Sequence, residues 1–153
     1  MNAYHFTTRW EVKASCGEVY RILEDVESLV DWWPSVYLDV QVLEKGQPGG
    51  VGKVVALLTK GWLPYTLHWQ FEVTETQFPK RLALVAKGDF VGTGVWTLCP
   101  LSCNRTEVIY DWRVAAEKPL LKKLSWLLRP VFAANHRWAM RMGEKSLKEK
   151  IQS

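Results

Sequence analysis

Among the titratable side chains of this 153-residue chain, His136 is the one that a helical stripe turns away from the charges around it. A neutral imidazole so placed could polarise the carbonyl of a bound molecule or take up a proton, and the Tyr110 phenol could assist. The plainer reading is a core histidine satisfied by a backbone carbonyl or an indole N–H. Other chemistries have less to stand on. Cys99 and Cys103 flank a turn, but two thiols without a converging third and fourth ligand do not build a structural zinc site, and neither metal nor cofactor is expected. The run Gly46-Gln47-Pro48-Gly49-Gly50-Val51-Gly52-Lys53 is rich in glycine. It has Gln47 where a phosphate-cradling loop requires glycine, and Val54 where it requires a hydroxyl. No serine sits in a nucleophile elbow, which disfavours hydrolase chemistry.

The element that positions His136 is a terminal helix running from Pro119 nearly to Ser153, with a break or kink at Pro130. Phe132, His136, Met140, Gly143, Leu147 and Ile151 recur every three or four residues, while Arg137, Arg141, Glu144, Lys145 and Lys148 gather opposite. The first set should face the core. Glycine inside a helix costs about 1 kcal/mol relative to alanine, so Gly143 is read as marking room for a ligand. Trp138 falls near the charged side, as cover for an edge or a partner surface.

Tyr110 belongs to a series of strands. Tyr4, Phe6, Thr8, Trp10, Val12 and Ala14 alternate with polar residues, the period of a half-buried strand. Ser15 and Glu18 form a capping box, followed by the apolar stripe Val19, Ile22, Leu23 and Val26. A second helical turn carries Leu29, Val30 and Trp33 up to Pro34. Period two then returns, with Val36, Leu38, Val40 and Val42 on one face and Tyr37, Asp39, Gln41 and Leu43 on the other. Further strands cover Lys53 to Thr59, the set Leu67, Trp69, Phe71 and Val73, and Leu82 to Lys87. The last two carry Phe90, Gly92, Gly94, Trp96 and Leu98, then Val108, Tyr110, Trp112 and Val114. Short connections imply antiparallel hairpins.

The inward sets contain no Asp, Glu, Lys or His. Their polar atoms are the Thr8 and Tyr110 hydroxyls and the indole N–H groups of Trp10, Trp69, Trp96 and Trp112. Nine tryptophans can fill a core, yet Gly92 and Gly94 with Gly143 opposite point to a wall that is not uniformly filled.

The order strand, two short helices, about six strands and a long helix is α+β. The segments Ala14-Ser15, Asp31-Trp32-Trp33-Pro34, Gly88 to Trp96, Tyr110-Asp111-Trp112 and the terminal helix together make the chain resemble the START-like (SRPBCC) helix-grip superfamily, and within it the polyketide cyclase/dehydrase and lipid-transport group. The likeness covers nearly the whole length, and the glycine-rich loop is similar to that of plant ligand-binding relatives. It implies a curved antiparallel sheet of six or seven strands gripping the last helix around an apolar cavity. Trp10, Trp69, Phe71, Phe90, Trp96, Tyr110 and Trp112 would wall that cavity from the sheet, and Phe132, His136, Met140 and Gly143 from the helix. The expected function is binding or transport of a lipid, polyketide or isoprenoid-like molecule. The alternatives are a cyclase or dehydratase using His136 and Tyr110, and a lipid-surface or protein-interaction module using the basic, apolar segment 118–129.

Charge and cysteines frame these readings. The net charge is +4, but Lys118 onward holds nine basic and two acidic residues, leaving −3 for the rest. This end is a solvated helix face or an attractor of anionic membrane. Nucleic acid is not an expected partner, because the tryptophans lie in alternating buried sets and not on a basic face. Three cysteines are too few for a secreted disulfide scaffold and fit a reducing cytoplasm. The start of the chain lacks the basic-then-apolar pattern of a signal peptide, and no apolar run reaches the ~18 residues that span a bilayer. One soluble domain, 1–153, is expected.

Overall fold

Alternation of apolar and polar residues produces the first strand, β1 (Ala3–Val12), whose inward side chains are progressively buried towards Trp10 and Val12. The fold is described by a computed structural model covering residues 3–152, apart from the side chains of Leu120, Ser125 and Trp126. After β1 come α1 (Cys16–Glu24), a 3-10 turn (Val26–Ser28) and α2 (Leu29–Trp32). Six strands follow, β2 (Tyr37–Glu44), β3 (Val54–Lys60), β4 (Thr66–Gln77), β5 (Arg81–Gly88), β6 (Phe90–Ser102) and β7 (Arg105–Ala116), then α3 (Pro119–Gln152). The strands form one antiparallel sheet in the order β1-β7-β6-β5-β4-β3-β2. Consecutive hairpins build six of the seven, and β1 closes onto β7 in an unbroken register from Ala3↔Ala115 to Val12↔Thr106. The sheet curves around α3, the helix-grip arrangement that the sequence implied.

Local chemistry explains the helix ends. The Ser15 hydroxyl accepts from the Glu18 backbone N–H at 3.2 Å, which starts α1. The Glu18 carboxylate returns to the Ser15 hydroxyl at 3.3 Å. In α3, Leu128 leaves helical geometry (φ −105, ψ 19) two residues before Pro130. Proline removes an N–H and crowds the preceding turn, so the helix kinks there. Beyond the kink Met140, Gly143 and Leu147 are buried on the inward side of α3, and Phe132, His136 and Ile151 are partly so.

The expected facing holds along β1, β6 and β7 but changes in β2. There Tyr37 pairs with Thr59 and Asp39 with Leu58, so one residue is inserted opposite none. This bulge reverses the alternation at its start: Tyr37 turns inward, while Leu38, expected inside, is 40% exposed. A second irregularity between Val73 and Glu75 in β4 brings Thr76 to the inner side. No described helix is long and apolar enough to cross a membrane.

Candidate binding cavity

Between the sheet and α3 lies a cavity of about 120 Å³. β1 supplies Tyr4 and Phe6, β4 supplies Leu67 and Trp69, and β6 and β7 supply Phe90, Tyr110 and Trp112. Leu121, Phe132, His136 and Met140 close it from α3, and Trp33, Tyr37, Gly61 and Tyr65 close the remaining side. The rings hold one another: Trp96 stacks on Tyr110 at 4.0 Å, Tyr110 on Trp112 at 5.6 Å, and Trp69 meets Phe90 edge-on at 5.7 Å. Such contacts fix the walls and leave few rotamers free.

Polar atoms are sparse here. The Trp69 indole N–H donates to the buried Thr59 hydroxyl at 3.0 Å. Asn135 is spent on the loop before β4, its Oδ1 accepting from the Leu63 backbone N–H at 3.2 Å. The His136 ring stacks on Phe6 at 4.1 Å, and its Nε2 is buried with no partner among the described residues. Trp33 Nε1 is buried and unpartnered in the same sense. A native interior satisfies nearly all such atoms, so an orphaned imidazole nitrogen in a cavity wall stands out.

Electrostatics set the charge of His136. Burial, aided by the nearby Arg137 guanidinium, lowers its pKa from 6.5 to about 4. The ring is therefore neutral at pH 7. Burial also raises the Tyr110 phenol well above 10.0, with Tyr37 and Asp111 adding to the shift, and pushes Tyr65 up to about 12. At neutral pH these phenols keep their protons and remain hydrogen-bond donors.

A second cavity, of about 400 Å³, lies at the opposite end beneath the glycine-rich loop. Trp33, Tyr37, Trp69 and Tyr110 border both hollows and form an aromatic partition between them. Phe71 and Trp96, expected in a single cavity with the others, face this second one. Trp10 borders neither; it is packed edge-on to Trp33 at 5.8 Å and tilted against Trp96 at 5.6 Å.

The glycine expectations are corrected. A Cβ on Gly143 would run into the Trp33 indole, so the space beside it is occupied by that ring and lies outside the cavity. A Cβ on Gly94 would lie 2.7 Å from the Tyr110 hydroxyl and 3.0 Å from the Trp112 ring, and one on Gly92 would meet the Arg113 backbone. All three glycines admit neighbouring groups; none leaves a void.

Trp33, Tyr37 and Asn135 line the cavity without being expected there. Trp33 belongs to the Trp-Trp-Pro run that carries the resemblance, which is its one signal. Tyr37 has none, because its orientation depends on the bulge. Trp138 packs against the core and borders a surface depression with Trp62, Leu63 and Leu38. In the segment 118–129, Leu121 points into the cavity, whereas Lys122 and Lys123 are exposed and Leu127 is 59% exposed. Leu120, Ser125 and Trp126 of that segment lie outside the described side chains. Lys118 pairs with Asp89 at 3.8 Å, Lys148 with Glu144 at 3.2 Å, and Arg129 lies 4.4 Å over the Tyr4 ring. On the outer face Asp111 takes both His5 and Arg113, a polar exterior as expected.

Comparison with known proteins agrees with this architecture. The Zhui aromatase/cyclase from Streptomyces sp. R1128 superposes with a TM-score of 0.75 at 18% identity, covering 98% of this chain and 94% of that one. The protein TTHA0849 from Thermus thermophilus gives 0.81 at 18% identity, covering 97% of each chain. A START superfamily protein from Mycobacterium smegmatis gives 0.74 at 17%, again covering 97% of each. At such identities the likeness is one of fold. No curated protein matches the sequence. The profile "Polyketide cyclase / dehydrase and lipid transport" matches residues 12–141, most of the sheet together with the cavity-lining part of α3, and the chain therefore belongs to that family.

Proposed function

We propose that this protein binds a hydrophobic or amphipathic small molecule, of lipid, polyketide or isoprenoid-like character, between the sheet and α3. The observation that carries this reading is the unpartnered His136 Nε2 in a mainly apolar cavity. Apolar burial at about 25 cal/mol per Å² supplies the affinity, and His136 and Tyr110 orient one oxygen of the ligand. The volume of about 120 Å³ is of the order of an apolar cavity that takes one benzene-sized molecule, ~150 Å³. A longer ligand needs the aromatic partition to move. Three free thiols, Cys16, Cys99 and Cys103, fit a reducing cytoplasm as the place of action.

A cyclase or dehydratase reading draws on the family and on the aromatase/cyclase among the similar structures. The lowered His136 pKa weighs against it, since proton transfer near neutrality favours a group titrating there. Exposed Leu127 beside exposed Lys122 and Lys123 favours a role of the 118–129 segment at an anionic membrane.

Mass spectrometry of an organic extract of the purified protein tests binding, followed by titration of the recovered compound into wild type and His136→Ala. Weakened binding without any turnover is the expected result. Turnover in wild type that disappears in His136→Ala while binding persists would replace this reading with the enzymatic one.

A further inference from the structure

The second cavity has the shape and charge of a separate binding site. Its volume, about 400 Å³, lies within the ~300–1,000 Å³ usual for small-molecule sites. Its depth is apolar, with Leu23, Val26, Phe71, Leu82, Leu84 and Trp96 on the walls and the aromatic partition as the floor. Its rim is polar and carries Arg21, Lys45 and Lys53 against Glu24. The Arg21 guanidinium is already committed, lying 3.2 Å from Glu24 and 4.5 Å over the Phe78 ring. Lys45 and Lys53 have no carboxylate within ion-pair distance among the described residues.

The loop itself narrows the chemistry. Gly49 and Gly50, at φ 93 and 104, adopt a backbone conformation that L side chains rarely take, and they border the cavity together with Thr76. Four of the loop's N–H groups are turned onto its own and neighbouring carbonyls: Gln47 to Val51, Gly50 to Gln47, Gly52 to Val73 and Lys53 to Gly50, at 2.8–3.0 Å. These four are not available to cradle a phosphate. Recognition of an anion falls to two flexible ammonium groups acting as point charges, with an oily shaft behind them.

We infer that the cavity beneath the glycine-rich loop binds a medium- to long-chain carboxylate, its head between Lys45 and Lys53 and its chain against Phe71, Leu82, Leu84 and Trp96. This proposal does not rest on the reading given for the cavity at His136, although the two cavities share the aromatic partition.

Isothermal titration calorimetry of delipidated protein with sodium decanoate, 1-decanol and decyl phosphate tests it. Decanoate binds the wild type, its affinity falls about tenfold or more in Lys45→Glu/Lys53→Glu, and Lys87→Glu on the outer face leaves it unchanged. Raising NaCl from about 20 to 500 mM weakens decanoate but not decanol, a readout on wild-type protein that does not depend on the variant folding. No decanoate binding, or binding indifferent to both salt and the double substitution, overturns the site. Decyl phosphate binding more than about tenfold tighter than decanoate overturns the carboxylate assignment. Failure here leaves the His136 experiment untouched, and the reverse holds as well.

Discussion

The indole of Trp33 occupies the space in front of Gly143, at the point where α3 crosses the end of the short helices. Trp33 is buried to 2% exposure and also forms part of the partition between the two cavities. A glycine that would otherwise weaken the helix is thus the condition for that ring's position.

Gly143→Ala separates this geometry from an empty pocket by sign. Beside a void, alanine would stabilise the helix by about 1 kcal/mol. Here the added methyl forces the Trp33 ring aside, at a cost typical of overpacking, about 1–3 kcal/mol, that exceeds the gain in propensity. Chemical denaturation should show a net loss of stability, with an altered tryptophan emission spectrum in the native state.

His136 predicts a dependence of stability on pH. Its pKa is about 4 folded, below the ordinary 6.5 of the unfolded chain. Between these values the unfolded state binds the extra proton, so stability contributed by the neutral ring is full above pH 6.5 and is lost as pH falls towards 4. The loss amounts to about 3 kcal/mol. Denaturation at a series of pH values should show the wild type losing stability relative to His136→Leu as the pH falls across this window. Parallel curves would show that His136 titrates normally.

Thr59→Val keeps the shape of a buried residue and deletes the acceptor of the Trp69 indole N–H. A donor left unsatisfied inside the protein costs about 1–3 kcal/mol. Urea unfolding should detect that loss, whereas Thr66→Val on the exposed side of β4 should change stability by less than about 0.5 kcal/mol.

Asn135 joins α3 to the loop before β4, accepting from Leu63 N–H and lying tight against Gly61. Asn135→Ala should speed amide exchange at Leu63 and its neighbours more than in the strands, because only the loop is released. Uniform acceleration across the sheet would place the effect on global stability instead.

Much of this architecture is legible because it is written locally. Alternation fixes which face of β1, β6 and β7 is buried, and a three-to-four spacing fixes the inward stripe of α3 from Phe132 to Ile151. Pro130 could hardly fail to disturb the helix. What escapes depends on tertiary partners. One inserted residue at the start of β2 exchanges Tyr37 for Leu38, and no local pattern announces it. Gly92, Gly94 and Gly143 look like missing volume in one dimension, but a backbone or ring from elsewhere fills each place in three. The division of the interior into two hollows by Trp33, Tyr37, Trp69 and Tyr110 is illegible for the same reason.

The pairing of β1 with β7 has a consequence for how the molecule is made. The earliest of the seven strands to leave the ribosome finds its neighbour only after the other five have followed, since Val12 opposes Thr106 and Ala3 opposes Ala115. Until then β1 and β6 each present an unzipped margin, an invitation to wrong partners. The β1–β7 contacts can therefore form only once nearly the whole chain has been synthesised, which makes them among the most non-local pairings in the sheet.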